Sequence, residues 1–136
     1  MEDLIAFVRA RLDEDEEIAK APTGAAWAQA NWDYHENEIG GEAHVDLGTN
    51  HLDATSSLNQ LEMRHVARHD PARVLREIEA KRRLLDMYDS PETSPALPDS
   101  FNRFARDITR SFLGDIFRQL ATVWAYHPDY RQEWKP

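Results

Sequence analysis

The chain contains no cysteine, so disulfides and thiolate metal sites are excluded outright. Its five glycines are scattered over 136 residues, and none forms a Gly-x-Gly-x-x-Gly fingerprint or a phosphate loop. A Gly-x-Ser-x-Gly elbow is also missing. Ser111 falls inside an apolar helical pattern and Ser56-Ser57 read as helix caps, so nucleophilic catalysis has no support. No apolar run approaches the about 20 residues that cross a bilayer. The opening Met1-Glu2-Asp3-Leu4 lacks the positive start and apolar block of a signal peptide. Together these absences point to the cytoplasm and away from membranes.

Positive charge is also scarce. Lys and Arg number 16 against 25 Asp and Glu, for a net charge of −9, which disfavours nucleic acid as a partner because phosphate binding needs a positive surface. The imbalance is local. Residues 1–60 carry 13 acidic and 3 basic side chains, whereas residues 61–88 carry 5 and 7. The densest run is Asp13, Glu14, Asp15, Glu16 and Glu17. Its plain reading is a solvated helix end. Its second reading is an acidic face that docks a basic protein partner. The basic residues Arg64, Arg68, Arg73, Arg76, Lys81, Arg82 and Arg83 are better suited to pairing with that acidic helix than to touching phosphate, since Glu77 and Glu79 are interleaved with them.

What is present, 41% hydrophobic and 30% charged residues, is the composition of one globular domain. The fold expected is α+β, mainly α, with about four helices around one core and a small antiparallel hairpin inserted after the first helix. The expected division of a single domain 1–136 is an acidic helix 1–20, a hairpin or loop region 25–54, two helices over 56–88 broken at Asp70-Pro71, a Pro-rich linker 89–98, a long apolar helix 99–127 and a tail 128–136.

The first helix shows Leu4, Ile5, Val8 and Leu12 at helical spacing, with Phe7 at the border. In the hairpin region, Gly40-Gly41 separates candidate strands 26–38 and 42–47, and Trp27 or Trp32 is the natural anchor onto a helix. Ser56 or Ser57 is expected to cap the next helix, with Leu58, Leu61, His65 and His69 on one side and Val66 at the edge. Asp70 as N-cap with Pro71 at the first helical position starts another helix, with Val74, Ile78 and Leu85 as its stripe. Asp99 or Ser100 is expected to cap the last helix, which runs to about Tyr126. Its apolar set (Phe101, Phe104, Ile108, Phe112, Leu113, Ile116, Phe117, Leu120, Val123 and Trp124) wraps much of the cylinder, so that helix is central or oligomeric. A homodimer through 101–124 is the association it suggests. Gly114 in its middle suggests close approach of another backbone or a kink.

Three stretches carry a resemblance: Asp3-Leu-Ile-Ala-Phe-Val-Arg-Ala-Arg-Leu-Asp-Glu-Asp-Glu16, His65-Val-Ala-Arg-His-Asp-Pro-Ala-Arg-Val-Leu-Arg-Glu-Ile-Glu-Ala-Lys-Arg-Arg83 and His127-Pro-Asp-Tyr-Arg-Gln-Glu-Trp-Lys-Pro136. In this order they resemble a family of short, functionally uncharacterised proteins from actinobacteria and their phages. They cover roughly a third of the chain. Residues 23–60 depart from that family, being longer and more polar than its compact aromatic hairpin. The resemblance implies a bacterial or phage accessory protein, and no activity, cofactor or catalytic residue.

Two classes of function follow. The favoured one is a non-enzymatic interaction or regulatory module without a cofactor, binding another protein through Asp13, Glu14, Asp15, Glu16, Glu17 and the hairpin aromatics Trp27, Trp32 and Tyr34. The alternative is a metal-dependent hydrolase. Glu62, His65 and His69 fall at i, i+3 and i+7 on one side of a helix, where two imidazoles four apart and a carboxylate suit Zn²⁺. The glutamate directly after the first histidine of the metalloprotease motif is missing, and the same histidines also read as core-edge residues. His35, His44 and His51 with Asp33, Glu36 and Asp46 form a weaker second cluster. His127 before Pro128 suits a helix C-terminus. The sequence leans against an enzyme.

Overall fold

A computed structural model describes residues 1–24, 29–36, 43–47 and 58–136. Among the described residues, four α-helices and two short strands carry the fold: α1 (Glu2–Lys20), β1 (Asp33–His35), β2 (His44–Asp46), α2 (Gln60–Arg68), α3 (Pro71–Asp89) and α4 (Asp99–Ala121). The chain groups into two compact units, one formed by residues 1–14 and 79–136, the other by residues 15–78. The class is α+β, mainly α, as the periodicities indicate.

In the first unit, the α1 stripe is inside: Leu4, Ile5, Val8 and Leu12 are all buried. Phe7, expected at the border, is buried as well. The reason lies at the far end of the chain. The ring of Phe7 meets His127, Tyr130 and Trp134 at centroid distances of 5.8, 6.1 and 5.1 Å, and Arg131 donates to Asp3 at 2.7 Å. The C-terminal tail is thus pinned by aromatic contacts, each of which adds to simple area burial.

Asn102, nearly fully buried, fixes the linker to α4. Its Oδ1 accepts from the Ser94 N–H at 3.0 Å, and its Nδ2 donates to the carbonyls of Ser94 and Leu97 at 2.9 and 3.2 Å. The expected caps Asp99 and Ser100 are instead helical residues. The N-cap is Pro98, with no side-chain cap bond. The helix also stops earlier than expected. After Ala121 the backbone tightens into a 3₁₀ turn, Thr122–Trp124, where the Thr122 hydroxyl donates to the Gln119 carbonyl at 2.7 Å. Arg110 closes the end of α3 by donating to the carbonyls of Tyr88 and Asp89 at 3.1 and 3.3 Å, a favourable cation at a helix C-terminus.

Gly114 meets a side chain rather than a backbone. A Cβ at this position would lie 2.8 Å from the Met1 methyl. Met1 is half exposed and its unbranched side chain has three rotatable bonds, so it can swing aside. Gly114→Ala should therefore raise stability by about 0.5–1 kcal/mol through helix propensity. A melting point that falls instead would show that Met1 is held in place.

In the second unit, β1 and β2 pair antiparallel in the register Asp33–Asp46, Tyr34–Val45 and His35–His44. The paired residues fall inside the expected strands, while Trp27 and the Gly40-Gly41 turn lie outside the described residues. A two-stranded ribbon needs a helix to lean on, and α2 packs on both strands. Val45 is the fully buried strand residue, and Trp32 is half buried.

Helix α2 differs from expectation at its start and in its face. The cap is Asn59, not Ser56 or Ser57. Its Oδ1 accepts from the N–H groups of Leu61 and Glu62 at 2.9 and 3.1 Å, and Glu62 accepts from the Asn59 N–H at 2.8 Å. This reciprocal capping box satisfies the otherwise orphaned donors. The buried residue is Met63, with Val66 and Ala67 half buried on the same side, whereas Leu61 is 76% exposed. The spacing that decides the face is 63, 66 and 67, not 58, 61, 65 and 69. At Asp70-Pro71 the break falls where the residues require it. Asp70 Oδ1 accepts from the Arg73 N–H at 2.7 Å and its Oδ2 from the Trp32 N–H at 3.2 Å. The Ala72 N–H reaches the Ala30 carbonyl at 3.0 Å, so residues 29–32 are tied to the first turn of α3.

Candidate functional site

The proposed ligand set lies on the exposed side of α2. Glu62, His65 and His69 are all exposed. The rings of His65 and His69 lie against each other at 4.2 Å, and His69 Nδ1 is 2.9 Å from the His65 carbonyl. Only a protonated Nδ1 can make this bond, because a carbonyl oxygen accepts. The Glu62 carboxylate points back to the Asn59 N–H as part of the cap. The histidines are therefore brought together, but the carboxylate is engaged at the other end of the helix turn. Among the described residues, no group of three or more His, Cys, Asp or Glu side chains is arranged to hold a metal ion. In the hairpin, His35 and His44 stack at 5.0 Å across the strand pair. His51 lies outside the described residues.

The acidic run is largely taken up within the chain. Asp13 accepts from Arg82 at 2.6 Å, Glu14 from Arg11 at 2.7 Å, and Glu16 pairs with Lys20. Asp15 is also engaged, and Glu17 is exposed. Pairing of the basic stripe with this helix, expected from the sequence, is realised in the Asp13–Arg82 bond. Each such exposed pair contributes only about 0–1 kcal/mol. Of the hairpin aromatics, Tyr34 and Trp32 are both half buried. The Arg64 guanidinium lies over the Tyr34 ring at 5.2 Å and pairs with Glu36. The neighbouring Tyr34 and then Glu36 raise the Arg64 pKa above its ordinary value, which changes nothing near neutrality because arginine is charged there in any case. The Trp32 indole donates to the Gln29 carbonyl at 3.2 Å. Beside it lies an apolar cavity of about 380 Å³ lined by Ile18, Ala19, Pro22, Trp32, Pro71 and Val74, with Asp15 and His69 at its polar positions.

The largest uncommitted feature belongs to α4. Leu113, Gly114, Phe117 and Ala121 are buried. Phe101, Phe104 and Phe112 are 58%, 60% and 68% exposed, and Ile108, Ile116 and Val123 are exposed with them. At about 100° per residue the five within α4 fall within roughly a third of the helix circumference, opposite the buried set, and Val123 follows in the 3₁₀ turn. They form a second apolar stripe interrupted by Asp115 and Gln119, which fall within the same arc. The breadth of apolar residues was visible in the sequence. The split into an inner and an outer face was not, because both faces carry the same residue types.

No helix among the described residues is long and apolar enough to cross a membrane. The architecture is that of a small, mainly helical α+β protein with a short hairpin and a two-faced final helix. The chain belongs to the family of unknown function DUF6221, whose model matches residues 1–136. No curated protein and no solved structure matches it.

Proposed function

We propose that the protein is a non-enzymatic interaction module of the cytosol and that the outer face of α4 is its docking surface. The observation that carries this reading is the exposure of Phe101, Phe104 and Phe112 on one line of the helix. Moving one such side chain from water into an apolar contact is worth about 1.5–3 kcal/mol, so three in a row are an expensive surface to leave bare. Contiguous exposed apolar patches of this kind mark binding sites on otherwise polar proteins. The acidic run and the hairpin aromatics give the reading less support. Asp13, Glu14 and Glu16 are already paired within the chain, and Trp32 and Tyr34 are half buried among their own neighbours. The Zn²⁺ hydrolase reading has less support: His65 and His69 lie side by side, but Glu62 caps α2 instead of turning toward them.

The double variant Phe104→Ser/Phe112→Ser should keep its helix content, because exposed substitutions shift stability by about 0.5 kcal/mol or less, and yet lose association. Labelled protein in host extract, followed by sedimentation velocity, reads this directly. Wild type is expected to sediment in a complex and the double variant at the rate of the free chain. Both sedimenting as free chains would overturn the reading.

A further inference from the structure

Resting on that docking surface, the identity of its occupant follows from area, symmetry and charge. We propose that the outer face of α4 is covered by a second copy of the same helix, antiparallel to the first and centred on Phe112.

The area fits a self-complementary pair. With about 200 Å² for a phenylalanine side chain and less for the aliphatic ones, the six exposed residues leave roughly 600 Å² of apolar surface open on each copy. That is the upper end of what monomers expose, about 300–600 Å². Two such faces together bury roughly 1,200 Å², the size at which specific interfaces begin.

The stripe is also nearly palindromic. Ile108 and Ile116 stand at 112 − 4 and 112 + 4, and Phe101 and Val123 at 112 − 11 and 112 + 11. A two-fold axis through Phe112 therefore sets Ile108 against Ile116 of the second copy, Phe101 against its Val123, and Phe112 against itself. A two-fold interface requires this of a single surface that must serve both partners.

Charge selects the direction. Asp107 and Arg118 lie five residues before and six after Phe112, on the same edge of the stripe, within about 20° of each other around the helix. In an antiparallel pair Asp107 of each copy meets Arg118 of the other, twice over. In a parallel pair the two copies of this edge lie on opposite sides of the seam, and neither pairing forms. Arg118 donates to Asp115 at 2.6 Å within its own chain, and a guanidinium has five donors, so a second carboxylate can be served at the same time. Opposed helix dipoles favour the same direction.

The test uses the purified full-length chain in sedimentation equilibrium, with circular dichroism to confirm the fold of each variant. Wild type is expected at twice the chain mass and Phe112→Asp at the single-chain mass. Asp107→Arg and Arg118→Asp should each weaken association about tenfold or more, and the double variant Asp107→Arg/Arg118→Asp should recover most of it. Because the chain has no cysteine, Phe112→Cys supplies a second reading: oxidation should lock the dimer with its helix content unchanged. Recovery in the double variant supports the antiparallel register, and a double variant no better than the singles overturns it. A purified wild type that stays monomeric at its highest soluble concentration overturns the second copy as occupant. If that monomer still sediments in a complex in extract, the interaction module stands with a different partner, and if it does not, both readings fall.

Discussion

Replacing Phe117 with alanine should lower the free energy of unfolding by about 3–5 kcal/mol, the range for truncating a buried aromatic ring. Phe117 is 0% exposed, and its ring meets Tyr88 edge-on at 5.9 Å. The loss therefore combines transfer of the ring, the void left behind and one aromatic pair. For a chain of this size it corresponds to a melting point lower by about 10–20 °C. The control is on the same helix. Phe112→Ala removes the same atoms from the opposite face, where the ring is 68% exposed, and should cost about 0.5 kcal/mol or less. Both are read by urea unfolding followed by circular dichroism at high dilution, since association would otherwise add to the stability of wild type. Equal losses at the two positions would show that α4 does not have an inner and an outer face. Phe117→Leu, which keeps much of the volume, should fall between the two and keeps the comparison readable if the alanine variant does not fold.

How much of this was legible depended on the length and purity of each apolar pattern. Helix α1 has four core residues at clean spacing over three turns, and nothing competed with that signal. The start of α3 was equally plain, because Asp before Pro favours one local geometry and the Asp70 side chain realises it. On the nine-residue α2 the sequence points to the wrong face. Leu58, Leu61 and His65 make as good a stripe on paper as Met63, Val66 and Ala67, and only packing against β1 and β2 decides between them. Its cap was legible in principle, since Asn59 followed three residues later by Glu62 is a capping-box signature. Glu62 also reads as a metal ligand, since a carboxylate three residues before a histidine serves either purpose equally well in a sequence. The burial of Phe7 and Asn102 could not be read locally. One depends on a tail more than a hundred residues away, the other on the path of a proline-rich linker. The candidate site was half legible for a related reason. The apolar excess of 101–124 pointed to association, but composition cannot separate a face turned to the core from one turned to a partner.

Asp70→Ala should cost roughly 2–4 kcal/mol, combining loss of a helix N-cap with an orphaned backbone donor. The carboxylate is nearly fully buried and its two oxygens do different work. Oδ1 accepts the Arg73 N–H at the first turn of α3, and Oδ2 accepts the Trp32 N–H from the segment before β1. The first bond starts the helix. The second fixes the entry to the hairpin alongside the Ala72 to Ala30 backbone bond. Asp70→Asn separates them. An amide keeps one oxygen, which can continue to cap α3, but it presents NH₂ where the second oxygen stood, and that group cannot accept from Trp32. The asparagine variant should therefore lie between wild type and alanine in stability. Its amide hydrogen exchange should be faster at Trp32 and unchanged at Arg73, whereas alanine should speed both. Equal protection at Trp32 in wild type and Asp70→Asn would mean that the Asp70 carboxylate starts α3 and does nothing for the hairpin. A loss below about 0.5 kcal/mol for alanine, the range of an ordinary surface change, would mean that Pro71 at the first helical position is enough to begin the helix by itself.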